Sequence, residues 1–299
     1  DGTFPPSSLR TVFREIIATC LNLEKPITVG YLGPEATFTH SAAMKRFGNS
    51  TDLRSLESVS EIFEEVERGN VDFGIVPIEN SSEGAVRHTL DRFLTSDLRI
   101  CSESYLAVEL FLLGTDEDLD AVETVYSHGH ALSQGREWLE RNLPEIDIVE
   151  TQSTAEAARI AGEEPHAAAV ASEVAADIYD LNVLVRNIEQ PATNYTRFLV
   201  LGDESPEPTG EDKTTVAFTV EDETGALQKI LKPFSDYDIN MTKIESRPSS
   251  RKTWDYIFFV DFQGHKSEQP VGDLLDELRS RSSMFKVLGS YPRENPFDA

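Results

Sequence analysis

Along residues 9–24, LRTVFREIIATCLNLE, the apolar positions Val12, Phe13, Ile16, Ile17, Cys20, Leu21 and Leu23 fall at helical spacing, and Pro26 closes the segment. From Ile27 the period changes. Short apolar runs (ITVGYLG, VDFGIVPIE, VETVYS, IDIVET, AAAVAS, VLVRNI, TRFLVL) alternate with amphipathic stretches (THSAAMKRF, SVSEIFEEVERG, GAVRHTLDRFL, ALSQGREWLERN, STAEAARIAGE, EVAADIY). This alternation predicts α/β sheets with helices on both faces. The long apolar segments near residues 100–113 and 192–201 fit crossovers between two lobes, and two lobes leave a ligand cleft between them. Residues 203–212, DESPEPTGED, hold five acids, two prolines and a glycine and read as a linker. Beyond it, TTVAFTV, GALQKILKPFSDY, INMTKIESR, WDYIFFVDFQG, PVGDLLDELRSRS and MFKVLGSY predict the order βαββαβ, a ferredoxin-like unit over residues 213–292.

Composition narrows the function. Lys and Arg number 27 against 53 Asp and Glu, a net charge of −26. Such a surface repels nucleic acid and anionic membrane, so neither is an expected partner. It also repels an anionic substrate at long range, so an anion site needs local positive character. Carboxylates spread along the whole chain fit a protein that works in high salt, where screening reduces self-repulsion. No apolar run approaches the roughly 20 residues of a membrane span. The N-terminus lacks the basic-then-apolar pattern of a signal peptide, and the expected location is cytoplasmic. Cys20 and Cys101 form no CxxC, which leaves no expected metal site or disulfide framework.

Polar groups at strand ends are the candidate chemistry, because ligands in open α/β sheets bind outside the carboxyl ends of strands. In GPEATFTHSAA (33–43), Thr37, Thr39 and Ser41 offer hydroxyls at a helix start, with capping by Thr39 as the plainer reading. In PIENSSEG (77–84), Glu79, Asn80 and Ser81 follow a buried strand; Asn80 and Ser81 fit a ligand hydroxyl or carboxylate, and Ser82 fits a helix cap. In SHGHALSQG (127–135), Ser127 stands beside His128. Neighbours on a chain point different ways and no Gly-x-Ser-x-Gly elbow is present, which argues against a hydrolase triad and for hydrogen-bonding roles; His130 reads as a surface or capping residue. In ATNYTRFLVLG (192–202), Asn194, Thr196 and Arg197 stand at the mouth of a buried strand. A hydroxyl and a guanidinium fork suit a small dianionic acid; with so many carboxylates present, Arg197 equally suits a structural salt bridge. The absence of a phosphate loop and of GxGxxG argues against nucleotide chemistry.

Together, GYLGPEATFTHSAA, DFGIVPIENSSEGAV, SHGHALSQ, TQSTAEAA, NYTRFLVLG and INMTKIESRP resemble the prephenate dehydratase family, in order and over nearly the whole chain. The resemblance implies conversion of prephenate to phenylpyruvate with loss of water and CO2, without a cofactor. It implies a two-lobed catalytic region like a type II periplasmic binding protein over residues 27–202, with lobe 1 at 27–104 and 191–202 and lobe 2 at 105–190. It makes Thr196 and Arg197 the catalytic pair, with Arg197 on a carboxylate, and Thr37, Glu79, Asn80, Ser81, Ser127, His128, Asn194 and Phe198 substrate-binding. The family pattern S-H-P-Q-A-L departs here to Gly129 and His130, with Gly135 in place of a later Cys, and Ala36 in place of a glycine. Residues 213–292 resemble an ACT domain, which implies phenylalanine bound between two subunits at Gly225, Ala226, Leu227, Asn240, Glu245, Ser246, Arg247 and Pro248, in a homodimer or homotetramer. Residues 1–26 resemble the tail of a chorismate mutase, without mutase activity. Two other functions fit the same residues: an arogenate dehydratase, and a non-catalytic aromatic amino acid sensor.

Overall fold

A computed structural model of the chain describes residues 6–116, 118–189, 194–221, 223–248 and 256–295. Helix α1 (Pro6–Glu24) is followed by β1 (Thr28–Leu32), α2 (Phe38–Phe47), β2 (Asp52–Leu56), α3 (Val59–Glu67), β3 (Phe73–Asn80), β4 (Gly84–Ala85), α4 (Arg87–Thr95) and β5 (Arg99–Ala107). Lobe 2 contains β6 (Phe111–Gly114), β7 (Thr124–His128), α5 (Gly129–Asn142), β8 (Asp147–Thr151), α6 (Thr154–Glu163), β9 (Ala167–Ala171), α7 (Glu173–Tyr179) and β10 (Asn182–Val185). The chain returns through β11 (Tyr195–Gly202) and continues as β12 (Asp212–Thr219), α8 (Ala226–Asp236), β13 (Met241–Pro248), β14 (Tyr256–Gln263), α9 (Gln269–Arg281) and β15 (Met284–Pro292).

Three sheets result. Lobe 1 has the order β2-β1-β3-β11-β5, with β4 beside β3; lobe 2 has β10-β6-β9-β7-β8; the C-terminal unit has β13-β14-β12-β15, the order of a ferredoxin-like sheet. The α/β two-lobed fold and the βαββαβ unit therefore stand as the sequence predicts. The apolar segment at 98–114 is two strands, because β5 pairs with β11 in one sheet and β6 with β9 and β10 in the other. Strand β5 stays in lobe 1 to Ala107, so the first crossover lies at 108–110 rather than at 104/105. The return crossover predicted from 191 lies partly outside the described residues, as do Trp254 and Asp255 of the predicted β14 segment. Strand β2 has no counterpart in the sequence reading: it is an edge strand with an irregular burial pattern, so its side chains carry no period.

Local signals place α3 and α6 well, but Ser82, read as a helix cap, caps nothing: β4 follows it, and α4 starts at Arg87 with Val86 at its N-cap position and no side-chain cap. Ser58 caps α3 by accepting from the Glu61 amide, while the Glu57 amide donates back to the Glu61 carboxylate, a reciprocal box. Ser153 caps α6 the same way through Glu156. Lobe 2 is built on small residues: all five residues of β9 are buried, Ala167, Ala169 and Ala171 against Ala155, Ala157, Ala158 and Ala161 on one face and Ala168 and Val170 against Val125, Ala131 and Leu132 on the other.

The layers around β11 position the site. On one face Phe198 and Val200 pack with Val29, Tyr31 and Ile75 beneath α2. On the other, Leu199 and Leu201 pack with α3, α4 and the C-terminal sheet through Ala217, Phe259, Leu288 and Tyr291. Strand β15 reaches β5 closely at Gly289, where a Cβ would collide with the Ile100 backbone, so only glycine permits that approach. Helix α1 leaves Leu9, Val12, Phe13, Ile16 and Ile17 exposed. No helix among the described residues is long and apolar enough to cross a membrane.

Candidate active site

The two lobes enclose a cleft of about 350 Å³. Its lining includes Thr37, Asn80, His128 and Thr196, together with Glu83, His130, Gln134, Gln152, Ser153 and Thr154. A groove of about 860 Å³ near Cys101 is larger, but it holds none of the strand-end residues singled out above. Burial pushes the Cys101 thiol up to about 12, so at neutral pH it is no nucleophile.

A chain of amides sets the cleft floor. The Asn80 Oδ1 accepts from the amides of Ser82 (2.9 Å) and Glu83 (3.2 Å). Its Nδ2 must then face the other way, where it donates to Asn194 Oδ1 and to Thr196 Oγ1, both at 2.9 Å. Asn194 Nδ2 in turn donates to Gln134 Oε1 across the lobes at 3.1 Å. Thr196 Oγ1 is thereby an acceptor toward Asn80. Among the described residues no acceptor takes its hydrogen, which is left for the cleft.

Among the described residues, the cleft lining contains no Lys or Arg. Positive character comes from three helix N-termini instead. Thr37, His128 and Ser153 cap α2, α5 and α6, and all three line the cleft. The capping reading for Thr39 is corrected: Thr37 is the cap, accepting from the His40 amide, and Thr39 is buried in the first turn.

Arg197 is the main correction. Successive strand residues point to opposite faces, and Arg197 turns away from the cleft into the junction with the C-terminal sheet, 5% exposed. Its Nε donates to Glu103 (2.8 Å), its Nη1 to Asp261 (2.5 Å) and its Nη2 to the Tyr291 hydroxyl (3.0 Å). Lys213 closes the cluster on Glu103 at 2.7 Å. Burial alone would raise Asp261, but Arg197 and Lys213 beside it hold its carboxyl below the usual range. The structural salt bridge, not carboxylate capture, describes this arginine. Glu79 pairs across β11 with Arg197 in register, and its side chain meets Lys243 of β13 at 2.7 Å, again away from the cleft. Phe198 is fully packed core beneath α2. Ser127 is completely buried and donates to the Val170 carbonyl at 2.6 Å, so its hydroxyl does not reach a ligand. Ser81 supports the site indirectly by accepting from the Tyr195 amide at 3.0 Å.

Sequence reasoning passed over Gln134, Gln152, Ser153 and Thr154, and set His130 aside. His130, Ala131 and Gln134 stand at i, i+1 and i+4, one face of α5, and that spacing was the available signal. In the C-terminal unit, Gly225–Leu227 open α8 and Asn240 lies past its far end, roughly 16 Å away by helix rise. One chain therefore does not gather the predicted effector residues at one point. Arg247 is turned to α4, donating to the Arg87 carbonyl (2.5 Å) and pairing with Asp91, and Glu245 lines the same domain junction; Ser246 and Pro248 are exposed.

A family model described as prephenate dehydratase matches residues 29–206, and one described as ACT domain matches residues 214–280. A bifunctional chorismate mutase/prephenate dehydratase of Aquifex aeolicus is 51% identical over 292 residues, covering 98% of this chain and 81% of its own. The crystal structure of a prephenate dehydratase from Arthrobacter aurescens, in complex with L-Phe, is similar at a TM-score of 0.83 and 35% identity over 91% of each chain. A structure described as a novel type of quorum quenching acylase is similar at 0.82 and 27% identity, over 91% of this chain and 100% of its own.

Proposed function

The chain belongs to the prephenate dehydratase family, and on that premise we propose that the interlobe cleft is where it dehydrates and decarboxylates prephenate, with Thr196 as the residue facing the leaving group. The reaction breaks the ring C–O bond and the bond to the ring carboxylate; the electron pair of the lost CO2 aromatises the ring, and the hydroxide takes up a proton. Aromatisation and CO2 release supply the driving force, so the protein need only stabilise the departing hydroxide. The observation that carries this reading is the fixed Asn80 amide. It occupies one lone pair of Thr196 Oγ1 and leaves the hydroxyl hydrogen to donate to the leaving oxygen. Three helix N-termini suit the two carboxylates of the substrate in a cleft whose described residues include no Lys or Arg.

An acylase chemistry of the kind named for the third relative needs a nucleophile set against a base. Ser127 is sealed on a backbone carbonyl, and the partner of Thr196 is an amide donor. Phenylalanine, bound in the Arthrobacter relative, is the effector we assign to the ACT unit. The exposed edge of β13, with Ile244 uncovered, supports pairing between two copies, so that the effector residues of Gly225–Leu227 and Asn240 come together across subunits in a homodimer or homotetramer. The uncovered apolar face of α1 supports reading residues 1–26 as the tail of a mutase-like region. Two free thiols support a reducing, cytoplasmic setting.

The test is phenylpyruvate formation from prephenate in molar salt, by wild type and by Thr196→Ala, with and without phenylalanine. Turnover by the wild type and its loss in a folded variant are expected. Full turnover by Thr196→Ala would take the role from this hydroxyl, and wild-type turnover unaffected by millimolar phenylalanine would remove the effector assignment.

A further inference from the structure

We propose that His130 is a substrate-binding residue whose protonated imidazole, held across the cleft by Glu83, grips a substrate carboxylate; this rests on the dehydratase reading of the cleft. Among the described residues that line the cleft, His130 and His128 are the only side chains able to become cationic. Their rings stack with centroids 5.0 Å apart, so a charge on one disfavours a charge on the other. His128 Nδ1 accepts from the His130 amide as the cap of α5, a role that needs its unprotonated nitrogen. His130 Nδ1 instead meets the Glu83 carboxylate at 2.5 Å. The geometry therefore leaves His130, and not His128, able to donate from both ring nitrogens.

The pair also spans the lobes. Glu83 stands in the turn between β3 and β4 of lobe 1, and His130 in the first turn of α5 in lobe 2. Because Nδ1–H is committed to Glu83, the chemistry of the ring toward a ligand is decided at Nε2, for which the described residues provide no partner. In the neutral ring Nε2 is an acceptor and repels a carboxylate. In the imidazolium it becomes a donor and binds one. The other charged group packed near this turn is Glu150 of β8, whose carboxylate lies over Gly129 and adds to the preference for a cation.

The experiment measures kcat and KM for prephenate with wild type, His130→Leu, His130→Gln and Glu83→Gln, each checked by a thermal melt. His130→Leu is expected to raise KM roughly tenfold with kcat near the wild-type value, since the contact is a charge-assisted hydrogen bond. His130→Gln, which keeps a neutral donor, is expected to raise KM less, and Glu83→Gln to raise KM without lowering kcat, a split that a purely structural role does not produce. An unchanged KM in His130→Leu and Glu83→Gln overturns the proposal, as does a loss confined to kcat. If His130→Leu does not fold, the Glu83→Gln constants decide. Failure of the wild type to turn over prephenate would sink the dehydratase reading itself, a separate result.

Discussion

Thr196 and Arg197 are consecutive residues of β11, yet they belong to two different environments. Thr196 faces an open cleft of amides, hydroxyls and helix ends, with Glu83 and His130 in its lining. Arg197 faces a sealed junction where Glu103, Lys213, Asp261, Thr215 and Tyr291 satisfy one another away from water. The strand is shared; the dielectric is not. In the cleft, the Thr196 hydroxyl keeps its hydrogen for a ligand. In the junction, every charge is spent on a neighbour, because an unpaired buried charge costs several kcal/mol. Adjacency in a motif therefore does not make two residues partners in one reaction.

The comparison breaks first at Thr196. Its replacement by alanine should lower kcat by roughly 10² to 10⁴, the range for a positioned proton donor, while the thermal midpoint stays near wild type. Arg197→Ala should do the reverse. It leaves Asp261 without its nearest cation and should cost about 3–5 kcal/mol of unfolding free energy, read by urea denaturation. Intact stability with lost turnover in that variant would put Arg197 back with the chemistry. The junction also sets an acid limit. Asp261 has its folded pKa depressed below the unfolded value, so its stabilising contribution is present above about pH 4 and is lost as pH falls through the folded pKa. Asp261→Asn should be less stable at pH 7 and should show a shallower loss in acid; an unchanged slope would take Asp261 out of the acid limb. Thr215→Val removes the hydroxyl hydrogen-bonded to Asp261 at 2.7 Å and to Tyr291 at 2.6 Å, at an expected cost of about 1–3 kcal/mol. The smallest effect is expected at Lys243→Ala. Its pair with Glu79 is partly exposed and should contribute under about 1 kcal/mol, which a double-mutant cycle with Glu79→Ala would measure.

Much of the molecule was readable from its sequence. The βαββαβ order depends on the period of each short run. Thr196, Asn80, Thr37 and His128 were legible because polar groups at strand ends have few local uses. Glu79, Ser127, Phe198 and Arg197 looked alike at that level and turned elsewhere, since facing depends on register and on what packs behind the strand.

The chain alone determined the alternation of strands and helices and the βαββαβ order of the C-terminal unit, both of which follow from short-range spacing. Only the tertiary structure decided which face of β11 each residue serves. A shift in its pairing with β3 between Arg197 and Phe198, and the reach of Arg197 to Asp261 of β14, involve residues more than 60 positions away. It also decided the contacts across the cleft, Glu83 with His130 and Asn194 with Gln134, because those distances exist only once two separately folded lobes meet.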